Sequence, residues 1–411
     1  MSIDPPAAPR PLPDRPNLRH LKDQAKDLLK SGAARSIADA QFTIARLYGF
    51  ASWPKLKAQI DSLEEIGQLK QAIDTNDIVG VKTMLTRDPA LHRAPMGYGK
   101  DGPLTWVAEC RVPWESPSPA RLAMATWMLA HGSDVHQGGD GPLMRAALNG
   151  YRIPMMELLV SHGADVNALW HGHFPIIFAP CESLDPPALK WLLDHGANPN
   201  CRDHGYKMSG HPYAGTALDY VIGSYARSPQ RLSACIDILL EAGGATKYDA
   251  PAVLQLLRGR LDSLAELIDT DPALVTTRFA ELDCGMTGGR ALTLQGATLL
   301  HVAAEYGSVE AAALLIDRGA DVNARAIVDE KGVGGHTAIF HAVTQFADGG
   351  LPVTQLLLER GADLAVRVKL PGDYERPGEI VECTALGYAL LFGGSRERDT
   401  VTLLRARGAV E

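Results

Sequence analysis

Leu18, Leu21, Ala25, Leu28 and Leu29 recur three and four positions apart with Lys and Asp between them, a spacing that lines one face of a helix. Gly32 stops it, and the same pattern predicts a second helix over about 36–48, ending at Gly49, and a third opening at Trp53-Pro54. Further along, a closing element recurs as MLAHGSDVH at 128–136, LLVSHGADVNA at 158–168, LLDHGANPNCR at 192–202, LLIDRGADVNAR at 314–325, LLLERGADLAVR at 356–367 and LLRARGAV at 403–410. Gly132, Gly163 and Gly196 stand 31 and 33 residues apart. Each period then holds a short helix pair that buries its apolar faces only by stacking on its neighbours.

An opening element recurs in step with the closing one: DGPLTWVAEC at 101–110, DGPLMRAALNG at 140–150, GTALDYVI at 215–222, GATLLHVAAEYG at 296–307, GHTAIFHAV at 335–343 and CTALGYAL at 383–390. With these residues the sequence resembles the ankyrin repeat family, and residues 296–325 carry the whole pattern. The physical roles agree. Thr298 is placed to cap a helix, Ala303 and Ala304 are small enough for close packing, and Leu314 and Leu315 precede Gly319, which suits a left-handed C-terminal position. His301 occupies the position where the family's histidine stabilises the turn.

The expected fold is all-α: an ankyrin repeat solenoid of about nine helix-turn-helix units with β-turn fingers, after a small helical N-terminal region. The units span roughly 66–94, 101–137, 140–169, 172–202, 214–248, 249–278, 296–325, 335–367 and 383–411. The first and sixth share a D-P-A-L ending instead of G-A-D, so the first reads as a cap and the sixth as a joint between two sub-stacks. The expected organisation is a disordered, proline-rich 1–16, a helical 17–62 and a repeat domain over 63–411. YGFASWPKLK resembles the leader helices that precede ankyrin arrays in many bacterial proteins.

Composition narrows the partners. Hydrophobic residues make up 46% and charged residues 21% of the chain, and no stretch approaches the length of a membrane span, so a cytoplasmic, non-membrane protein is expected. Six cysteines lie far apart with no CxxC pair, which points to reduced thiols. Residues 1–60 hold 10 Lys and Arg against 5 Asp, a surplus of +5, which leaves −13 for the rest of a chain whose net charge is −8. An acidic body argues against nucleic acid as a partner. The basic leader reads as a solvated face or as a docking surface for an acidic partner.

The residues after each first helix are expected to line a concave groove, among them Glu109 and Cys110, Leu148 and Asn149, Cys181 and Glu182, Glu305 and Tyr306, Thr344 and Gln345, Leu391 and Phe392. Trp106, Trp114, Trp170 and Tyr206 are candidate aromatic anchors near the early turns, and Tyr213 is a further candidate contact residue. Four turns, about 201–215, 279–296, 326–335 and 368–382, exceed a plain ankyrin turn and are expected to wall one side of the groove. His171 and His173 in one turn, with Asp203, His204 and His211 in the next, form a candidate transition-metal set. Cys284 is a candidate reactive thiol if Arg290 lies beside it. No nucleophile, phosphate-loop or zinc-protease motif occurs, and no cofactor is expected. The function read from the sequence is a protein- or peptide-binding module; the alternative is an enzyme or metal-dependent small-molecule binder built from the turns around 170–213.

Overall fold

The computed structural model describes residues 9–13, 16–97, 99–110, 115–202, 215–287, 289–392 and 398–411. Each of the first three helices begins on a side-chain cap: Asn17 for α1 (Leu18–Lys30), Ser36 for α2 (Ile37–Leu47) and Ser52 for α3 (Trp53–Asp74). Such caps satisfy amides that a first turn leaves unpaired. Leu21, Ala25, Ala40, Ile44, Leu56 and Ile60 close into one buried cluster, whereas Leu69 and Ile73, farther along α3, belong to the core of the stack. One continuous helix therefore feeds two cores, and the boundary expected at 62–63 falls within it. Of the proline-rich start, residues 1–8 and 14–15 lie outside the described residues. The Arg10 amide donates to the Leu47 carbonyl at 2.8 Å and Leu12 packs on the leader cluster, so part of this stretch is held against the helices.

Nine helix pairs make up the stack among the described residues: α3 with α4 (Ile78–Arg87), α5 (Pro103–Glu109) with α6 (Pro119–Ala130), α7 (Gln137–Leu148) with α8 (Ile153–Ser161), α9 (Phe178–Glu182) with α10 (Pro186–Asp194), α11 (Ala217–Gly223) with α12 (Pro229–Glu241), α13 (Pro251–Leu257) with α14 (Leu261–Thr270), α15 (Leu299–Glu305) with α16 (Val309–Asp317), α17 (Ile339–Ala342) with α18 (Leu351–Glu359), and α19 (Ala385–Leu391) with α20 (Asp399–Ala406). One buried cluster runs from Leu69 to Leu404 through every pair. Gly163, Gly196, Gly319 and Gly361 end second helices at φ between +89° and +99°, a conformation that costs any L side chain.

The asparagine four residues after the first three of these glycines couples neighbouring units. The Asn167 amide donates to the Gly196 carbonyl at 2.9 Å and its Oδ1 accepts from the Asn198 amide at 2.8 Å. Asn200 does the same to Gly243 and Ala245, and Asn323 to Gly361 and Asp363. His301 takes the role its position implied: its Nδ1 lies 2.9 Å from Thr298 Oγ1 and its Nε2 donates to the His336 carbonyl at 3.1 Å. Two short antiparallel pairs, β1 (Leu169–Trp170) with β2 (Phe174–Pro175) and β3 (Val368–Pro371) with β4 (Ile380–Cys383), stiffen two of the fingers.

The sixth unit, expected as a joint, shares the core of its neighbours, with Leu256, Leu257, Leu264 and Ile268 in the same buried cluster. Asp237 of α12 binds Arg258 and Arg260, in the turn between α13 and α14, at 2.6 Å each, while other bonds bypass the unit and tie the fifth directly to the seventh. Tyr306 donates to the Ile222 carbonyl at 2.5 Å, and Arg227 reaches Glu305 at 2.7 Å. No helix among the described residues is long and apolar enough to cross a membrane.

Candidate interaction groove

The concave row splits into two halves with different fates. In the C-terminal half Glu305, Tyr306, Gln345 and Phe392 are 0, 2, 2 and 9% exposed, so the expected contact residues there face the interior of the protein. Leu391, at the end of the row, stays 55% exposed, and for Glu305 and Tyr306 the turn 279–296 is the cause. Its neck closes through the Phe279 and Ala297 backbones at 3.0 Å, its Leu282, Leu292 and Leu294 are buried, and Thr287 donates to the Tyr225 carbonyl at 3.1 Å. Outside, the Ala291 amide donates to Gly372 at 2.9 Å, the Tyr374 amide to Gly289 at 3.1 Å, and the Gly334 amide to Lys369 at 2.8 Å. Three long turns thus join one another, and one of them fills the groove it was expected to wall.

Glu305 sits under that turn at the centre of a buried network. Arg290 donates to its Oε2, Arg227 to Oε1 at 2.7 Å, His341 Nδ1 to Oε2 at 2.6 Å and Gln345 Nε2 to Oε1 at 3.3 Å. Arg290 also binds Thr344 Oγ1 and the Leu292 carbonyl, both at 2.7 Å. Burial opposes the charge of Glu305, but Arg290, Arg227 and His341 outweigh it and hold the carboxyl well below its usual range. Two guanidiniums on one carboxylate already leave surplus positive charge, so burial keeps His341 neutral and its pKa low despite Glu305. A neutral His341 accepts at Nε2 from His336 Nε2, 3.1 Å away. His336 and His301 are driven low by burial as well, His301 to about 3.

Cys284 lies in this region, and burial pushes its thiol up to about 12. That overturns the reactive-thiol expectation, because a thiol so hard to ionise is a poor nucleophile. Arg227 and His341 went unmarked in the sequence; Arg227 follows an irregular helix end, and no spacing signals a partner 78 residues away.

In the N-terminal half Glu109, Cys110, Leu148, Asn149 and Glu182 remain part-exposed, while Cys181 is buried. Glu182 ends α9, where Tyr220 donates to its Oε2 at 3.1 Å and Tyr225 to its Oε1 at 3.3 Å. Burial raises its pKa, with the two hydroxyls and Arg145 opposing. Tyr225 is 59% exposed beside it.

The histidine-bearing turn is tied into the stack. Trp170 is buried, and its Nε1 donates to Asp101 Oδ2 at 2.7 Å; His171 Nε2 donates to Oδ1 of the same carboxylate at 2.8 Å. Gly138, Gly139 and Asp140 make room by adopting three successive left-handed conformations; a Cβ on Gly138 would sit 2.2 Å from Asp101 Oδ1. Trp170 is therefore a packing residue, and one nitrogen of His171 is already occupied. His173 is half-buried, while Trp114, Asp203, His204, Tyr206, His211 and Tyr213 lie outside the described residues. Among the described residues no group of three or more His, Cys, Asp or Glu side chains is arranged to hold a metal ion. Asp101→Ala is expected to cost about 1–3 kcal/mol by stranding the indole and imidazole donors, checked by urea unfolding followed through tryptophan fluorescence.

Comparison with known proteins fits this architecture. The family model described as ankyrin repeats (3 copies) matches residues 120–203 and 245–368. The crystal structure of the human ASB11 ankyrin repeat domain is similar at 20% identity and a TM-score of 0.36, over 64% of this chain and the whole of that one. No curated protein matches the sequence significantly. With just over half of its residues under the family model, and with the helix pairs, left-handed glycines and inter-unit asparagines in place, the chain belongs to the ankyrin repeat family.

Proposed function

We infer that the protein is a protein- or peptide-binding module whose contact surface is the concave face of its second to fifth units. One observation carries this reading. The chain's own turn occupies the groove over Glu305 and Tyr306, while Glu109, Asn149, Glu182 and Tyr225 keep part or most of their surface exposed. Side chains of mixed polarity on a rigid repeat scaffold suit recognition, since little ordering is needed on binding. The leader's likeness to those of bacterial ankyrin proteins supports a bacterial setting, and the composition of the chain a cytoplasmic one. No observation among the described residues favours the enzyme or metal-dependent alternative.

The test is affinity capture from the native cell with wild-type protein and a Glu109→Lys/Asn149→Arg variant whose melting temperature matches wild type. The expected result is loss of one or more captured proteins with the variant alone. An identical captured set would remove this face as the contact surface.

A further inference from the structure

We propose that Glu182, set between Tyr220 and Tyr225, anchors a lysine or arginine side chain from a basic segment of the partner. The proposal rests on the groove reading above and gives its partner a chemistry. Each oxygen of Glu182 accepts one phenolic hydroxyl, Tyr220 at 3.1 Å and Tyr225 at 3.3 Å, and among the described residues it makes no ion pair. Arg145 is near enough to favour the anion. A carboxylate oxygen accepts more than one hydrogen bond, so lone pairs remain on a half-buried carboxylate whose direct partners among the described residues are two neutral hydroxyls.

The surroundings select the sign of the ligand. Tyr220 is held by Phe178 at 4.7 Å and Phe174 at 6.0 Å between ring centres, which fixes one hydroxyl, while Tyr225 presents an exposed ring at the rim. An aromatic face beside a carboxylate suits a cation, which gains from both ring and charge. Glu109 is a second part-exposed carboxylate on the same row, and the chain beyond residue 60 carries −13. An acidic segment would meet repulsion here, and a neutral one would desolvate Glu182 without compensation.

The experiment is selection of a displayed random peptide library on the immobilised full-length protein, with the selected peptides then measured by fluorescence anisotropy. The expected result is peptides sharing a Lys or Arg whose replacement by norleucine weakens binding at least about tenfold. Glu182→Gln should weaken the parent peptide to the same degree, and have little effect on the norleucine peptide. Tyr225→Phe should give a smaller loss, and both variants must melt with wild type. Peptides without a shared basic residue, or ones that bind Glu182→Gln as well as wild type, overturn the anchor and leave the groove reading standing if Glu109→Lys/Asn149→Arg still abolishes binding. Selected peptides indifferent to every groove substitution, or failure to select any peptide, overturn both.

Discussion

Glu305→Gln is expected to lower stability by about 3–5 kcal/mol, the usual cost of removing one partner from a buried charge network. The substitution keeps shape and hydrogen-bonding capacity but removes the only carboxylate that, among the described residues, pairs with Arg290 and Arg227, whose side chains are 0% and 10% exposed. Two guanidiniums would then lie buried without a countercharge, and His341 would lose its anionic acceptor. The damage should be local as well as global. Arg290 anchors the turn 279–296 inside the groove, and Arg227 ties the fifth unit to the seventh past the sixth. Urea unfolding gives the total, and amide exchange should locate the loss of protection in 279–296 and around Tyr225. Arg290→Met, which leaves the Arg227–Glu305 pair intact, should cost less. A loss from Glu305→Gln no larger than that of an exposed ion pair, about 1 kcal/mol, would contradict the role assigned to this carboxylate.

Acid should loosen the same region through its histidines. His301, His336 and His341 are buried and held neutral in the fold, His301 down to about 3, from an ordinary value of 6.5. The unfolded chain therefore binds more protons than the folded one once the pH falls below about 6.5. Their contribution is fully present above that value and is lost progressively towards the folded pKa. For His301 alone the loss between about pH 6.5 and pH 4.5 amounts to about 2 kcal/mol. Arg290 and Glu305 face His341, and Arg290, Arg325 and Arg278 bear on His336 and His301, so the positive groups around the trio resist its protonation. Glu305, whose pKa is also depressed, adds to the loss only as the pH falls below its ordinary value of 4.5, where the unfolded chain takes up a proton that the folded carboxyl does not. Thermal melts across this interval should fall steeply. His336→Leu, which removes one titrating ring whose Nδ1 has no hydrogen-bond partner among the described residues, should make the fall shallower. A wild-type melting curve flat with pH would overturn this account.

Legibility differed from element to element. The helix pairs and the glycines that end them could be read directly, because a short helix must bury a fixed stripe and reverse at a residue without Cβ. The coupling role of Asn167, Asn200 and Asn323 was visible only as a recurring letter; its meaning needed the facing glycine carbonyl of the next unit. Glu305 and Tyr306 were placed at the right repeat position and read as surface, since the repeat frame carries no sign that a later turn folds back over them. Trp170 and His171 were read as contact or metal residues because their partner, Asp101, lies about seventy positions earlier in the chain.

By itself the sequence determined the repeat length, the number of helix pairs, the irregular sixth unit and the all-α stack, all consequences of local periodicity and turn chemistry. Only the tertiary structure decided which part of the concave face is open. That depends on where an inserted turn comes to rest. The resting place of 279–296 is set by a buried arginine meeting a carboxylate and by bonds to two other turns, contacts between distant residues that no period encodes.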